Sequence, residues 1–160
     1  YGDGTMTAEN EPIPLARLLA MSFRTMIDEL HARLGQRGWS DVRPAYGFVL
    51  LALRDGPTSA KDVAALMGTT KQAASQLVDG MEVAGFVTRV ASSRDGRVRE
   101  LVLADRGRRL LAAVEEIYAE IEGEWAAEVG TPDLATTRRA LLSVVRSANY
   151  GRLPAVRPIW

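Results

Sequence analysis

The stretch from Thr69 to Leu103 constrains the fold more than any other, because it joins a short amphipathic helix to an arginine-rich hairpin. Ala74, Leu77, Val78 and Met81 recur at helical spacing and form one apolar stripe. Lys71, Gln72, Ser75, Gln76 and Asp79 fall on the other side, rich in amide and hydroxyl groups able to read base edges. Gly85 follows the last periodic residue, where glycine stops a helix. Phe86 to Ala91 and Arg97 to Leu103 then read as two strands around the turn-forming cluster SSRDG. The hairpin carries Arg89, Arg94, Arg97 and Arg99. A recognition helix followed by a basic wing is a winged helix-turn-helix layout.

The residues upstream supply the other parts of such a domain. Leu15, Leu18, Leu19, Phe23, Met26, Ile27, Leu30 and Leu34 make a continuous stripe on a long helix that begins at Pro12 and ends at Gly35 and Gly38. That stripe is too wide for a helix with one neighbour. Pro44 suits the first position of a second helix, with Tyr46, Val49, Leu50 and Leu53 as its buried residues. Asp55, Gly56 and Pro57 stop it, and Thr58 or Ser59 can cap a third helix with Val63, Ala64 and Met67 in the core. Gly68 closes that helix, and Thr69 or Thr70 caps the next after a tight turn, the spacing of a helix-turn-helix.

Downstream, Asp105 to Glu128 reads as a long helix whose apolar side is Leu110, Leu111, Val114, Ile117, Tyr118, Ile121 and Trp125. Thr131 and Pro132 start a last helix reaching about Asn149, with Leu134, Leu141, Leu142, Val144 and Val145 on its apolar face. In the tail, Leu153, Val156, Ile159 and Trp160 are too apolar to be free and are expected to pack on the body or a partner. Residues 1–11 are polar and glycine-containing and read as disordered, with those ahead of Met6 resembling an expression tag.

Charge is distributed more informatively than its total of zero suggests. Phe86 to Leu110 holds Arg89, Arg94, Arg97, Arg99, Arg106, Arg108 and Arg109 against three acids, whereas Leu111 to Val129 holds only acids, from Glu115 to Glu128. The local field decides where a polyanion docks. The glutamates are read as a solvated face that repels DNA from the far end of the molecule. No cysteine is present, which excludes disulfides, thiolate metal sites and thiol redox sensing. A single histidine excludes a multi-histidine metal site within one subunit. No metal cluster, nucleophile elbow or phosphate-cradling glycine loop is legible, so neither an enzyme nor a cofactor is expected. No apolar run spans a bilayer and no signal-peptide pattern is seen, which leads to an expectation of a cytoplasmic protein without membrane contact.

From about Leu15 to Tyr150 the chain resembles the MarR family of bacterial winged-helix regulators. The resemblance rests on the helix order, on Leu77, Val78 and Asp79, on Gly85, on Asp95 and Arg97 at the wing tip, and on Leu103 through Gly107. Each piece is weak alone, but their order and spacing together are specific. Two positions depart from the family pattern. Ala104 stands where a capping threonine is usual, leaving Asp105 as the substitute cap, and Gln76 stands where arginine is frequent.

The resemblance implies a mainly α fold with a small β-hairpin wing: a winged helix-turn-helix domain plus a helical dimerisation region. It assigns residues 12–38 and 105–160 to dimerisation and residues 39–104 to DNA binding. It implies a homodimer on a palindromic operator of double-stranded DNA, acting as a repressor and released by a small aromatic or anionic effector. The expected DNA contacts are Thr70, Lys71, Gln72, Ser75 and Gln76 on the helix and Arg89, Arg94, Arg97 and Arg99 on the wing. The expected effector contacts are His31, Trp39, Arg43 and Tyr46, although His31 continues the first helix's stripe and Tyr46 also suits the core. The rival reading is a winged helix used only for protein–protein contact, which the arginine-rich wing disfavours.

Overall fold

A computed structural model describes residues 12–158. The element order is α1 (Leu15–Gln36), α2 (Pro44–Arg54), α3 (Ala60–Met67), α4 (Lys71–Val83), β1 (Val87–Ala91), β2 (Arg99–Leu103), α5 (Asp105–Val129) and α6 (Thr131–Ala148). The segment expected to be disordered, residues 1–11, and the tail residues Ile159 and Trp160 lie outside the described residues.

Local chemistry accounts for most boundaries. Ser59 caps α3 by accepting from the Asp62 N–H, and the Asp62 carboxylate reaches back to the Ser59 N–H, a reciprocal capping box. Gly68 ends α3 in the left-handed conformation that only glycine adopts freely. Two residues later the Thr70 hydroxyl accepts from the Ala73 N–H and opens α4. The start of α5 departs from expectation. Ala104 occupies the cap position with no side-chain bond, and Asp105 lies inside the first turn, paired with Arg108 at 3.3 Å. It supplies favourable charge at the helix N-terminus in place of a cap.

The hairpin pairs antiparallel with Val87 opposite Leu103, Arg89 opposite Leu101 and Ala91 opposite Arg99. Thr58 adds an isolated bridge to Leu101, with bonds of 2.7 and 3.2 Å, so the segment before α3 forms a third edge. The core gathers residues from α1, α2, α3, α4, both strands and α5 around Phe86, Val49, Val78, Met81, Leu101, Leu110 and Ile117. Gly107 lets α5 start there. A Cβ at that position would lie 2.1 Å from the Phe86 carbonyl oxygen, which accepts the Ala104 N–H.

The helices outside this core are only partly covered. α6 has no buried residue, and Leu15, Leu18, Leu19, Met21 and Phe23 of α1 are exposed. The α1 stripe becomes buried only at Leu30 and Leu34, where α1 packs along α5. Arginines hold that contact. Arg33 pairs with Glu124 at 2.7 Å and Glu120 at 3.4 Å, and Arg37 pairs with Glu120 at 2.6 Å and Glu116 at 3.6 Å. Glu115 pairs with Arg54 and Glu122 with Arg138. The acidic side of α5 is the solvated face expected, since Glu115, Glu116, Glu120, Glu124 and Glu128 are exposed, and four of these five also form surface ion pairs. Glu alternates with apolar residues there at a spacing that α1 can meet only once the two helices are packed.

Candidate nucleic-acid interface and effector cavity

α4 places its polar residues as its periodicity requires. Ala74, Val78 and Met81 are buried, while Lys71, Gln72 and Gln76 are exposed and Ser75 is half-buried. Thr70 is exposed, and its hydroxyl already serves as the helix cap. These side chains offer a cation, two amides and two hydroxyls on or beside one helix face. That inventory can donate to and accept from base edges and phosphates.

The wing separates its arginines into two groups. Arg89 shares the strand side of Val87 and Leu101, which faces the core, and so it turns onto α4. Its guanidinium pairs with Asp79 at 2.5 Å and with Glu82. The bond to Asp79, reinforced by Glu82, raises the Arg89 pKa further, so the group is a fixed cation within a closed ion-pair cluster. The structure thus places Arg89 as a clamp between wing and recognition helix, and not on the outer wing surface expected for a DNA contact. Arg94, Arg97 and Arg99 are exposed and make no side-chain ion pair among the described residues. The tip is nonetheless ordered locally: the Arg97 N–H donates to the Asp95 carboxylate at 3.0 Å, and the Val98 N–H to the Asp95 carbonyl at 2.9 Å.

The four residues expected at an effector pocket divide in the same way. A cavity of about 600 Å³ opens between α1, α2 and α5, and His31 and Arg43 line it. Trp39 and Tyr46 do not. Tyr46 is buried edge-on to Phe86 at 5.6 Å, and Trp39 lies 6.3 Å from the same ring. Both belong to the core beneath the wing, because the turn after α1 and the first turn of α2 both face Phe86. Arg106 completes that cluster. Its guanidinium stacks 4.4 Å from the Phe86 centroid and 5.6 Å from Trp39, donates to the Ala84 carbonyl at 2.5 Å, and pairs with Asp41 at 2.9 Å. The hydrogen bond from Arg106 holds the Asp41 carboxyl below the usual range.

The cavity wall is mostly apolar, from Phe23, Ile27, Leu30, Leu51, Leu111, Val114 and Tyr118. Its charged groups are Arg24, Asp28 and Arg43, with His31 between them. Burial lowers the His31 pKa against the opposing pull of Asp28, so the ring is neutral at pH 7. Arg24 and Asp28 are absent from the residues expected at the pocket. With His31 they share one helical face of α1, but the apolar stripe beside them masks that signal in the sequence. Val156 of the tail also lines the cavity while remaining exposed, so the tail crosses its rim. Among the described residues no cluster of His, Cys, Asp or Glu could hold a metal ion, and no helix is long and apolar enough to cross a membrane.

A family model described as the MarR family matches residues 40–98, the span from the turn before α2 to the wing tip. Over that span the winged helix is similar to the MarR family. The chain is 31% identical over 109 residues to the exopolysaccharide II synthesis transcriptional activator ExpG of Rhizobium meliloti, covering 64% of this chain and 53% of that protein. It therefore spans about half the length of that curated relative. Its fold matches the reduced form of MarR from E. coli with a TM-score of 0.71 at 21% identity, covering 85% of this chain and 99% of the other. It also matches a mutant of S. aureus MepR bound to an oligodeoxyribonucleotide, with a TM-score of 0.60 at 19% identity over 86% of this chain and 99% of that one.

Proposed function

We propose that this protein is a transcriptional regulator that binds double-stranded DNA as a homodimer, at a palindromic operator, and is released by a small anionic or aromatic effector. It represses where that operator overlaps a promoter. The observation that carries the reading is the pairing of an exposed polar face on α4 with three wing arginines free of ion pairs among the described residues. Phosphate contacts from Arg94, Arg97 and Arg99 provide affinity and register, and Lys71, Gln72, Ser75 and Gln76 provide base discrimination. The likeness to a MepR structure that holds an oligonucleotide supports the same geometry. The uncovered apolar faces of α1 and α6 support the dimer. The apolar cavity with Arg24 and Arg43 at its wall supports an anionic effector.

Selection of bound duplexes from a random pool tests the reading. The expected result is an inverted repeat with half-sites about one helical turn, roughly 10 base pairs, apart. Failure to enrich any duplex, or enrichment of a single unrepeated site, overturns it. A thermal-shift screen of small aromatic acids then tests the effector. A true effector weakens DNA binding, and the operator weakens the effector by the same factor. Acids that bind without changing DNA affinity argue against release.

A further inference from the structure

The wing tip holds three arginines and two carboxylates, yet none of them pairs with another. In an exposed loop this is unexpected, since Glu100 is within the same hairpin as all three cations. The reason lies in Ser92, the one polar residue buried among those described, at 8% exposure. Its hydroxyl donates to the Glu100 carboxylate at 2.7 Å and accepts the Arg94 N–H at 3.2 Å. Its own N–H donates to the Val98 carbonyl at 2.9 Å. The strand register explains the contact: Val90 sits opposite Glu100, and Ser92, two residues on, lies on the same face of the hairpin. Asp95 is occupied by the Arg97 N–H in the same manner. Both carboxylates of the wing are therefore satisfied by neutral donors.

We propose that Ser92 is a positioning residue for nucleic-acid recognition: by engaging Glu100 and tethering the Arg94 backbone, it keeps the wing guanidinium groups available to phosphate. The proposal rests on the DNA-binding reading above. Removing the hydroxyl frees Glu100 to pair with Arg94 or Arg97, and an arginine neutralised within the protein no longer displaces counterions from DNA.

The test measures affinity against salt for the wild type, Ser92→Ala, Glu100→Gln and the double variant. The probes are a duplex recovered by selection and a random duplex of equal length. Ser92→Ala is expected to weaken both duplexes and to make the log–log salt slope shallower by up to about 2, one cation per subunit of a dimer. Glu100→Gln keeps the wild-type slope. The double variant regains that slope, because no carboxylate remains to capture the arginine. This rescue separates the proposed role from simple disruption of the loop, which Glu100→Gln would not repair. A wild-type slope in Ser92→Ala, or a double variant as weak as Ser92→Ala, overturns the assignment while leaving DNA binding intact. A wild type that binds no duplex at all sinks both readings.

Discussion

Gly107 is the residue whose replacement is easiest to foresee. A methyl group there would meet the Phe86 carbonyl oxygen at 2.1 Å, and backbone cannot swing aside as a side chain can. Gly107→Ala must lift the start of α5 from β1 and disturb the bond from the Ala104 N–H. Overpacking of this kind costs about 1–3 kcal/mol, which urea unfolding will read as a lower midpoint at an unchanged slope. His31 gives a residue-scale pH dependence. Its pKa in the folded protein is lowered from 6.5 by burial, with Asp28 opposing and Arg24 and Arg43 on the same cavity wall. The unfolded chain therefore binds the proton more readily. Its contribution to stability is complete above about pH 6.5 and declines as the pH falls towards the folded value. His31→Gln is expected to flatten that decline. Equal acid sensitivity in the variant would show that other groups dominate.

At the scale of elements, the helix-turn-helix depends on its caps. Ser59→Ala removes the hydroxyl that accepts from the Asp62 N–H before α3, a loss of about 1 kcal/mol. Because α3 packs on α4, the same variant is expected to loosen the recognition helix, seen as faster amide exchange at both helices. Protection confined to wild-type levels in α4 would show the two helices to be independent. The wing and the recognition helix also divide their labour. Arg97→Ala is expected to weaken specific and random duplexes alike and to reduce the salt slope by up to about 2 in a dimer. Gln72→Ala or Gln76→Ala leaves the slope nearly unchanged and narrows the gap between operator and random DNA by about 1–3 kcal/mol per contact. If the glutamine variants lose both duplexes equally, the division is wrong.

For the whole molecule, the distribution of burial argues for association. An 18-residue helix with no buried side chain is only partly covered by its own subunit, and the exposed leucines and Phe23 of α1 add further uncovered apolar surface. Obligate interfaces are large and apolar in this way. Sedimentation at low micromolar concentration is expected to give twice the chain mass, and a persistent folded monomer would overturn the dimer. Arg33 and Arg37 bridge α1 to α5 beside these surfaces. Such exposed pairs are screened by salt.

The order of elements, their caps and their apolar faces were legible in the residues alone. A period of 3.6 or 2, a glycine after the last periodic residue and a hydroxyl before the first are local properties that act within a turn or a strand. That is why α4, the hairpin and Gly68 stand where their residues indicate, and why Thr70, Lys71, Gln72 and Gln76 come out on an exposed face. The destinations of long polar and aromatic side chains were not legible, because they depend on what arrives from distant segments. Strand register turned Arg89 onto Asp79 and Glu82. The approach of α1 paired Glu116, Glu120 and Glu124 on the exposed acidic side of α5 with Arg33 and Arg37. The position of Phe86 drew Trp39 and Tyr46 into the core and left His31 and Arg43 to line the cavity with Arg24 and Asp28. Periodicity can say which face of an element is polar, but only the packed chain decides which charge meets it.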